Sequence, residues 1–165
     1  MNEVEAPFRG FPLGDVRLLA VVNRAGSTPS LYQRAELNRR YVMSLQSDNL
    51  LQNYYLEAGL WHTRGKPDGI HWGWEAPTCQ VRGHFLGHWL SAAARIWAST
   101  GDAEVKAKAD HIVAELGRCQ REHGGEWVFS IPEKHLHWIA RGKTVWAPQY
   151  VVHKTLMGLS DGGRS

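Results

Sequence analysis

The sequence has few cysteines and no long apolar run. Cys79 and Cys119 are the only cysteines among 165 residues, too few for a disulfide scaffold, and they lack the C-x-x-C spacing of a zinc knuckle. We therefore predict two unpaired, buried thiols. No stretch of about 18 apolar residues occurs, which excludes a transmembrane helix. The N-terminal residues include Glu3 and Glu5 and lack the apolar core of a secretory signal, so we expect a cytoplasmic protein.

The sequence also lacks a strong charge of either sign. Lysine and arginine together number 19, aspartate and glutamate 16, so the formal net charge is only +3. Arg39 and Arg40 form the only tight basic pair in the first helical region, and no basic stripe accompanies them. This distribution argues against a nucleic-acid partner and against a membrane-binding face.

Tryptophan and histidine, in contrast, are abundant, with eight and nine residues respectively. Both rings offer an apolar face and a polar edge, which suits a cleft that stacks on a polar ligand and hydrogen-bonds it. Sugars are natural ligands for such a cleft, although a helical core also uses tryptophan as filler.

Residues 81–91, V-R-G-H-F-L-G-H-W-L-S, carry the most informative pattern. His84 and His88 lie four residues apart, so a helix places both imidazoles on one face. Gly87 within such a helix costs about 1 kcal/mol relative to alanine, which indicates that a backbone, a ring or a ligand comes close there. The same pattern also fits two hydrogen-bonded core histidines or a solvated helix face. A third alternative is a metal site completed by His153 or Glu75, although the glutamate of an H-E-x-x-H motif is absent.

Apolar residues recur at helical spacing in about five segments of the chain. The predicted helices cover residues 29–45, 49–56 and 81–100, a stretch after the N-cap Asp102 with apolar residues from 105 to 119, and residues 149–159. Because the turn Thr100-Gly101-Asp102 is so short, the third and fourth helices must run antiparallel as a hairpin.

The remaining segments are predicted to be non-helical. Residues 1–27 form an extended, loop-like segment, and residues 59–80 form a long aromatic loop, folded over a cleft or anchored in the core. Residues 126–132 suggest a short strand, residues 134–143 a polar aromatic loop, and nothing after Leu159 is expected to pack.

Several blocks of the sequence follow one another in the order found in a known enzyme family. They are D-V-R-L at 15–18, N-R-R-Y at 38–41, L-L-Q-N at 50–53, G-H-F-L-G-H-W-L-S-A at 83–92, and W-A-P-Q-Y-V-V-H-K-T-L-M-G-L at 146–159. In these blocks the chain resembles the β-L-arabinofuranosidases of glycoside hydrolase family 127 and the related family 146, over nearly its whole length.

The resemblance implies an all-α fold, an incomplete (α/α)6 barrel built of antiparallel helical hairpins. Residues 1–165 would be the N-terminal part of a single barrel catalytic domain, with about five of its twelve helices. Helix faces that later neighbours would cover are then exposed, so we expect self-association through the open barrel edge.

The resemblance also implies a retaining hydrolase acting on arabinofuranosides of plant cell-wall glycans. The family's nucleophile is a zinc-bound cysteine and its acid/base a glutamate, and zinc is held by further cysteines and a glutamate. Cys79 and Cys119 match none of these residues, which are expected downstream of this chain. The chain itself is therefore predicted to have no catalytic residue, no metal ligand and no cofactor, and to be inactive alone.

A carbohydrate is the expected partner, and five residues are candidates for contacting it. His153 ranks first because the resemblance places the family's H-K position at the mouth of the sugar pocket, followed by His84, His88, Glu75 and Trp74. A neutral imidazole can hydrogen-bond sugar hydroxyls, and an indole can stack on the C–H face of the ring. For Glu75 the alternative is an ion pair or a cap that holds the loop. The alternatives for the whole chain are a non-catalytic carbohydrate-binding or structural fragment and a histidine-based metal-binding protein.

Overall fold

The structure, a computed structural model, describes residues 30–60 and 70–163. Across these ranges it is all-α, as predicted, with six α-helices, one 3-10 turn at Gly73–Glu75 and no strand. The helices are α1 Ser30–Ser44, α2 Ser47–Glu57, α3 His84–Thr100, α4 Ala103–Glu122, α5 Lys134–Ala140 and α6 Pro148–Gly162. None of the helices in these ranges is long and apolar enough to cross a membrane. The segment 1–27, predicted to be extended, lies outside the described residues.

Helices α3 and α4 form the predicted antiparallel hairpin. Gly101 ends α3 in the left-handed conformation at φ 71°, and Asp102 is the N-cap of α4, its side chain accepting from the backbone N–H groups of Glu104 and Val105. These local bonds satisfy amide groups that the first helical turn leaves unpaired, which fixes the turn. Helix α4 buries one stripe, consisting of Val105, Ile112, Leu116 and Cys119.

Helix α6 packs along α3 in the parallel direction. Three contacts advance in step along both helices: Gly87 with Lys154, Leu90 with Gly158, and Arg95 with Asp161. Helix α3 therefore lies between a parallel neighbour and the antiparallel α4. This alternation of helix direction is that of inner and outer helices in part of an (α/α)6-type barrel, the predicted fold class.

Helix α2 joins the core from the side of α4. Its buried residues are Leu50, Leu51, Gln52, Asn53, Tyr54 and Tyr55. The Tyr54 hydroxyl donates to the carbonyl oxygen of Gly83 at 3.1 Å and lies 2.8 Å from Oγ1 of Thr155. One side chain thus holds the end of α2, the start of α3 and the middle of α6 together.

The strand predicted for residues 126–132 is wrong. This segment turns back on itself: Nε1 of Trp127 donates to the carbonyl oxygen of Ile131 at 2.8 Å, and the rings of Trp127 and Phe129 meet edge to face at 4.9 Å. Trp127, Phe129 and Ile131 contribute to a small apolar cluster, in which Ile131 packs against Val81 and Val151. The apolar residues of this segment therefore serve local packing and not a pleated strand.

Two further predictions are corrected by the structure. The loop predicted for 134–143 contains α5, which carries half-buried Trp138 and buried His135. The last helix does not end at Leu159 but continues to Gly162, and Asp161 lies 3.6 Å from Arg95. The two cysteines form no disulfide with each other, as predicted; Cys119 is buried as expected, whereas Cys79 is only half-buried.

Candidate functional site

The N-terminal ends of α3 and α6 lie side by side because the two helices are parallel. The turn Gly73–Glu75 adjoins them. Seven side chains meet there, which we call the aromatic–histidine cluster: Trp74, Glu75, His84, His88, Trp146, Tyr150 and Lys154.

Glu75 closes the N-terminus of α3. Its carboxylate accepts hydrogen bonds from the backbone N–H groups of Gly83 at 2.7 Å and Phe85 at 3.1 Å. A carboxylate at this position satisfies donors that the first turn leaves unpaired and interacts favourably with the positive end of the helix dipole. The backbone carbonyl of Glu75 is held in turn by the buried amides of Gln52 at 2.8 Å and Asn53 at 2.9 Å. Glu75 therefore caps helix α3, a role that the sequence predicts as the alternative to contact with the sugar.

His84 is paired with the same carboxylate. Its Nδ1 lies 2.7 Å from Oε1 of Glu75 and 3.1 Å from the carbonyl oxygen of Val81. Since both neighbours accept, Nδ1 carries a proton. The hydrogen bond to Glu75 raises the pKa of His84, and burial opposes this only in part. The pair therefore favours an imidazolium whose second nitrogen, Nε2, is directed away from Glu75.

His88 has the opposite electrostatic environment. Its Nε2 lies 3.1 Å from the Tyr150 hydroxyl, and its ring meets that of His84 at right angles with 6.1 Å between centroids. Burial lowers the pKa of His88, and the positive charges of Lys154 and His84 lower it further. His88 is therefore held neutral, with one nitrogen able to donate and the other to accept.

Two tryptophans form the open side of the cluster. Trp74 is 65% exposed and Trp146 is 50% exposed, and their rings meet edge to face at 6.0 Å. Trp74 also lies 6.1 Å from the His84 ring. Large exposed indoles that pack against each other offer an apolar surface next to the polar histidines, which is the combination that a sugar ring requires.

The structure brings together four of the five predicted site residues, namely Trp74, Glu75, His84 and His88. His153 lies elsewhere on α6 and is exposed. Val151 and Thr155, each two residues away from His153, are both buried. Two residues correspond to about 200° around a helix, so His153 lies on the side of α6 away from α3. Its predicted contact with substrate stays a prediction.

The sequence reasoning missed Tyr150, Lys154 and Trp146. A signal for the first two was present, because Tyr150, Lys154 and Gly158 recur at every fourth position on one helical stripe. Gly158 marks the side facing α3, since a Cβ there would lie 2.6 Å from the carbonyl oxygen of Gly87. No comparable signal existed for Trp146, which precedes the helix.

The described residues do not fit the zinc site that the family resemblance implies. No group of three or more histidine, cysteine, aspartate or glutamate residues within 30–60 and 70–163 could hold a metal ion. The thiols belong to different parts of the core: Cys119 lies in the main cluster, and Cys79 packs against the cluster of Val81, Ile131 and Val151. We therefore assign no zinc-dependent step to these residues.

A family model described as "Beta-L-arabinofuranosidase, GH127 catalytic domain" matches residues 27–163. No curated protein and no solved structure matches the chain.

Proposed function

Because the chain belongs to the β-L-arabinofuranosidase family with the GH127 catalytic domain, we propose that it contributes sugar-pocket residues to a glycoside hydrolase. The proposed substrates are β-L-arabinofuranosides of plant cell-wall glycans. The observation that supports this proposal is the junction of α3 and α6, where the Glu75–His84 pair and the His88–Tyr150 pair adjoin exposed indoles.

Each part of this junction suits a different feature of a furanoside. The indoles of Trp74 and Trp146 can stack on the C–H face of the ring. Nε2 of His84 donates to a hydroxyl, because Glu75 favours the imidazolium, in which both ring nitrogens carry a proton. His88 and Tyr150 provide a neutral donor and acceptor pair for a second hydroxyl. Glu75 acts through His84 and the start of α3, so it is a positioning residue in this proposal.

In this proposal the residues of this chain recognise the sugar, and the catalytic residues of the hydrolase are not among them. The carboxylate of Glu75 is occupied by two backbone amides and an imidazole, so it is not available to protonate a leaving group. His153 remains a proposed contact at the mouth of the pocket, on the basis of the family resemblance.

Binding and hydrolysis can be tested separately with the whole chain. Methyl β-L-arabinofuranoside is titrated into ¹⁵N-labelled protein while the indole N–H signals are followed by NMR. We expect saturable shifts for Trp74 and Trp146, no shift for Trp138 as an internal control, and loss of the shifts in Trp74→Ala. We expect no hydrolysis of 4-nitrophenyl β-L-arabinofuranoside, with or without added zinc. If the cluster indoles do not respond to the glycoside, sugar recognition at this junction is refuted.

A further inference from the structure

We propose that Lys154 gives the aromatic–histidine cluster a preference for glycans that carry a carboxylate next to the arabinofuranosyl unit. The inference rests on the proposed function and adds the charge of the substrate to it.

The position of Lys154 is fixed by the close approach of two helices. Its carbonyl oxygen lies 2.0 Å from where a Cβ on Gly87 would be, so its backbone is pressed against α3. Its ammonium group lies 5.1 Å from the centre of the Tyr150 ring, whose hydroxyl is 3.1 Å from His88. The ammonium group therefore stands next to the groups proposed to bind the sugar hydroxyls.

The charges around Lys154 leave its ammonium group uncompensated. Glu75 is the nearby carboxylate, and it is committed to the His84 imidazole at 2.7 Å and to the start of α3. His88 is held neutral by burial and by the adjacent cations. The cluster thus consists of one neutralised ion pair, one neutral imidazole and one free positive charge on Lys154.

Some cations among the residues that the structure describes are paired with a carboxylate and others, including Lys154, are not. Within the described ranges, five lysine or arginine side chains have a carboxylate partner: Arg39 with Asp102, Arg82 with Glu57, Arg95 with Asp161, Lys106 with Asp110 and Arg118 with Glu115. Lys154 forms no ion pair with any residue of these ranges, and its Nζ instead lies 4.0 Å from Sδ of Met157. A carboxylate brought by a ligand would gain an ion pair with this ammonium group, whereas a neutral aglycone would not.

Two isosteric probes separate this charge effect from sugar recognition. They are 4-carboxyphenyl and 4-carbamoylphenyl β-L-arabinofuranoside, which differ only in an ionised carboxylate against a neutral amide. Dissociation constants are measured by indole NMR at low salt. We expect the carboxyphenyl probe to bind about fivefold more tightly than the carbamoylphenyl probe, because one partly exposed ion pair contributes about that ratio of dissociation constants. The ratio should fall with added salt, which screens the ion pair.

Variants of the whole chain assign the effect to one side chain. Lys154→Met should remove the preference, so that this variant binds the two probes with equal affinity, whereas Lys154→Arg should keep the preference. Lys106→Met is the matched control, because it removes an exposed lysine paired with Asp110 on α4. It should leave the preference intact.

The outcomes distinguish this inference from the proposed function. If neither probe binds, the proposed function fails and this inference fails with it. If both probes bind with equal affinity, sugar recognition stands and the charge preference is refuted. An equal preference in Lys154→Met and in the parent chain would also refute it. If Lys154→Met does not fold, loss of the preference on adding salt together with its retention in Lys154→Arg supports the inference, and a salt-independent ratio contradicts it.

Discussion

A Cβ atom on Gly87 would lie 2.0 Å from the backbone carbonyl oxygen of Lys154. No heavy-atom pair tolerates this distance without movement of a backbone, so residue 87 must be glycine for α3 and α6 to pack as they do. Gly158 provides the reciprocal approach from α6, with a notional Cβ 2.9 Å from Cα of Gly87. The two glycines set the separation of the helices whose N-terminal ends form the candidate site.

Gly87→Ala should therefore destabilise the protein. Alanine improves intrinsic helix propensity by about 1 kcal/mol, but overpacking against a backbone typically costs about 1–3 kcal/mol or more. We expect a net loss in the free energy of unfolding, measured by urea denaturation, together with altered chemical shifts for His88 and Tyr150.

Gly117→Ala is the matched control for this effect. Gly117 lies within α4, and a Cβ there would lie 3.5 Å from Nη1 of Arg121, an ordinary contact with a flexible side chain. Only the propensity term remains, so we expect Gly117→Ala to stabilise by up to about 1 kcal/mol. Equal effects of the two substitutions would contradict the close packing of α3 on α6.

Glu75→Gln should lower the pKa of His84. The carboxylate raises that pKa through its hydrogen bond to Nδ1, and a neutral amide cannot stabilise the imidazolium in the same way. The pKa is measured by NMR titration of the imidazole carbon-bound protons. Glu133→Gln is the control, because it removes an exposed carboxylate that lies 3.7 Å from His137, and it should leave the pKa of His84 unchanged.

The same pair makes stability depend on pH in a definite direction. Since the folded-state pKa of His84 is raised, the stabilisation is complete below the unfolded-state pKa of about 6.5 and is lost as pH rises through the folded-state pKa. Glu75→Gln should therefore cost more stability at about pH 6 than at about pH 9. A cost that is the same at both pH values would mean that Glu75 acts only as a helix cap.

Tyr54→Phe should destabilise the protein although it removes a single oxygen atom. The buried hydroxyl bonds the carbonyl oxygen of Gly83 and Oγ1 of Thr155, and burial raises the pKa of Tyr54 far above its usual range. Leaving buried partners unsatisfied costs about 1–3 kcal/mol, which thermal or urea unfolding can resolve. Tyr41→Phe, at a residue that is 56% exposed, should be nearly neutral.

Helix positions could be predicted where local chemistry defines the ends. Asp102 caps α4 through bonds to residues two and three positions later, and Gly101 ends α3, so both signals lie within a few residues of the boundary. Helix α5 could not be found this way, because it has only seven residues and no side-chain cap. Its existence depends on packing, not on a periodic pattern.

The candidate site could be predicted only in part for a similar reason. The i, i+4 spacing of His84 and His88 placed them on one face without further information. The role of Glu75 depends on contacts eight and ten residues away, across a loop, and that of Tyr150 on a contact across 62 residues. The first contacts are set by the packing of the loop on α2 and α3 and the second by the packing of α6 on α3, and sequence spacing specifies neither.

His88 and His153 allow a direct comparison of structure with family resemblance. His88 lies within the cluster, 3.1 Å from the Tyr150 hydroxyl, whereas His153 is exposed on the side of α6 away from α3. His88→Ala removes a hydrogen-bonding group from the proposed pocket and leaves the tyrosine hydroxyl unpaired. It should weaken binding of methyl β-L-arabinofuranoside about tenfold, which corresponds to one lost hydrogen bond of about 1.4 kcal/mol. We expect a smaller loss for His153→Ala, and unfolding curves of both variants serve as the control for stability. A larger loss for His153→Ala would instead place the sugar beside His153, the contact that the family resemblance implies, and would move the pocket away from the aromatic–histidine cluster.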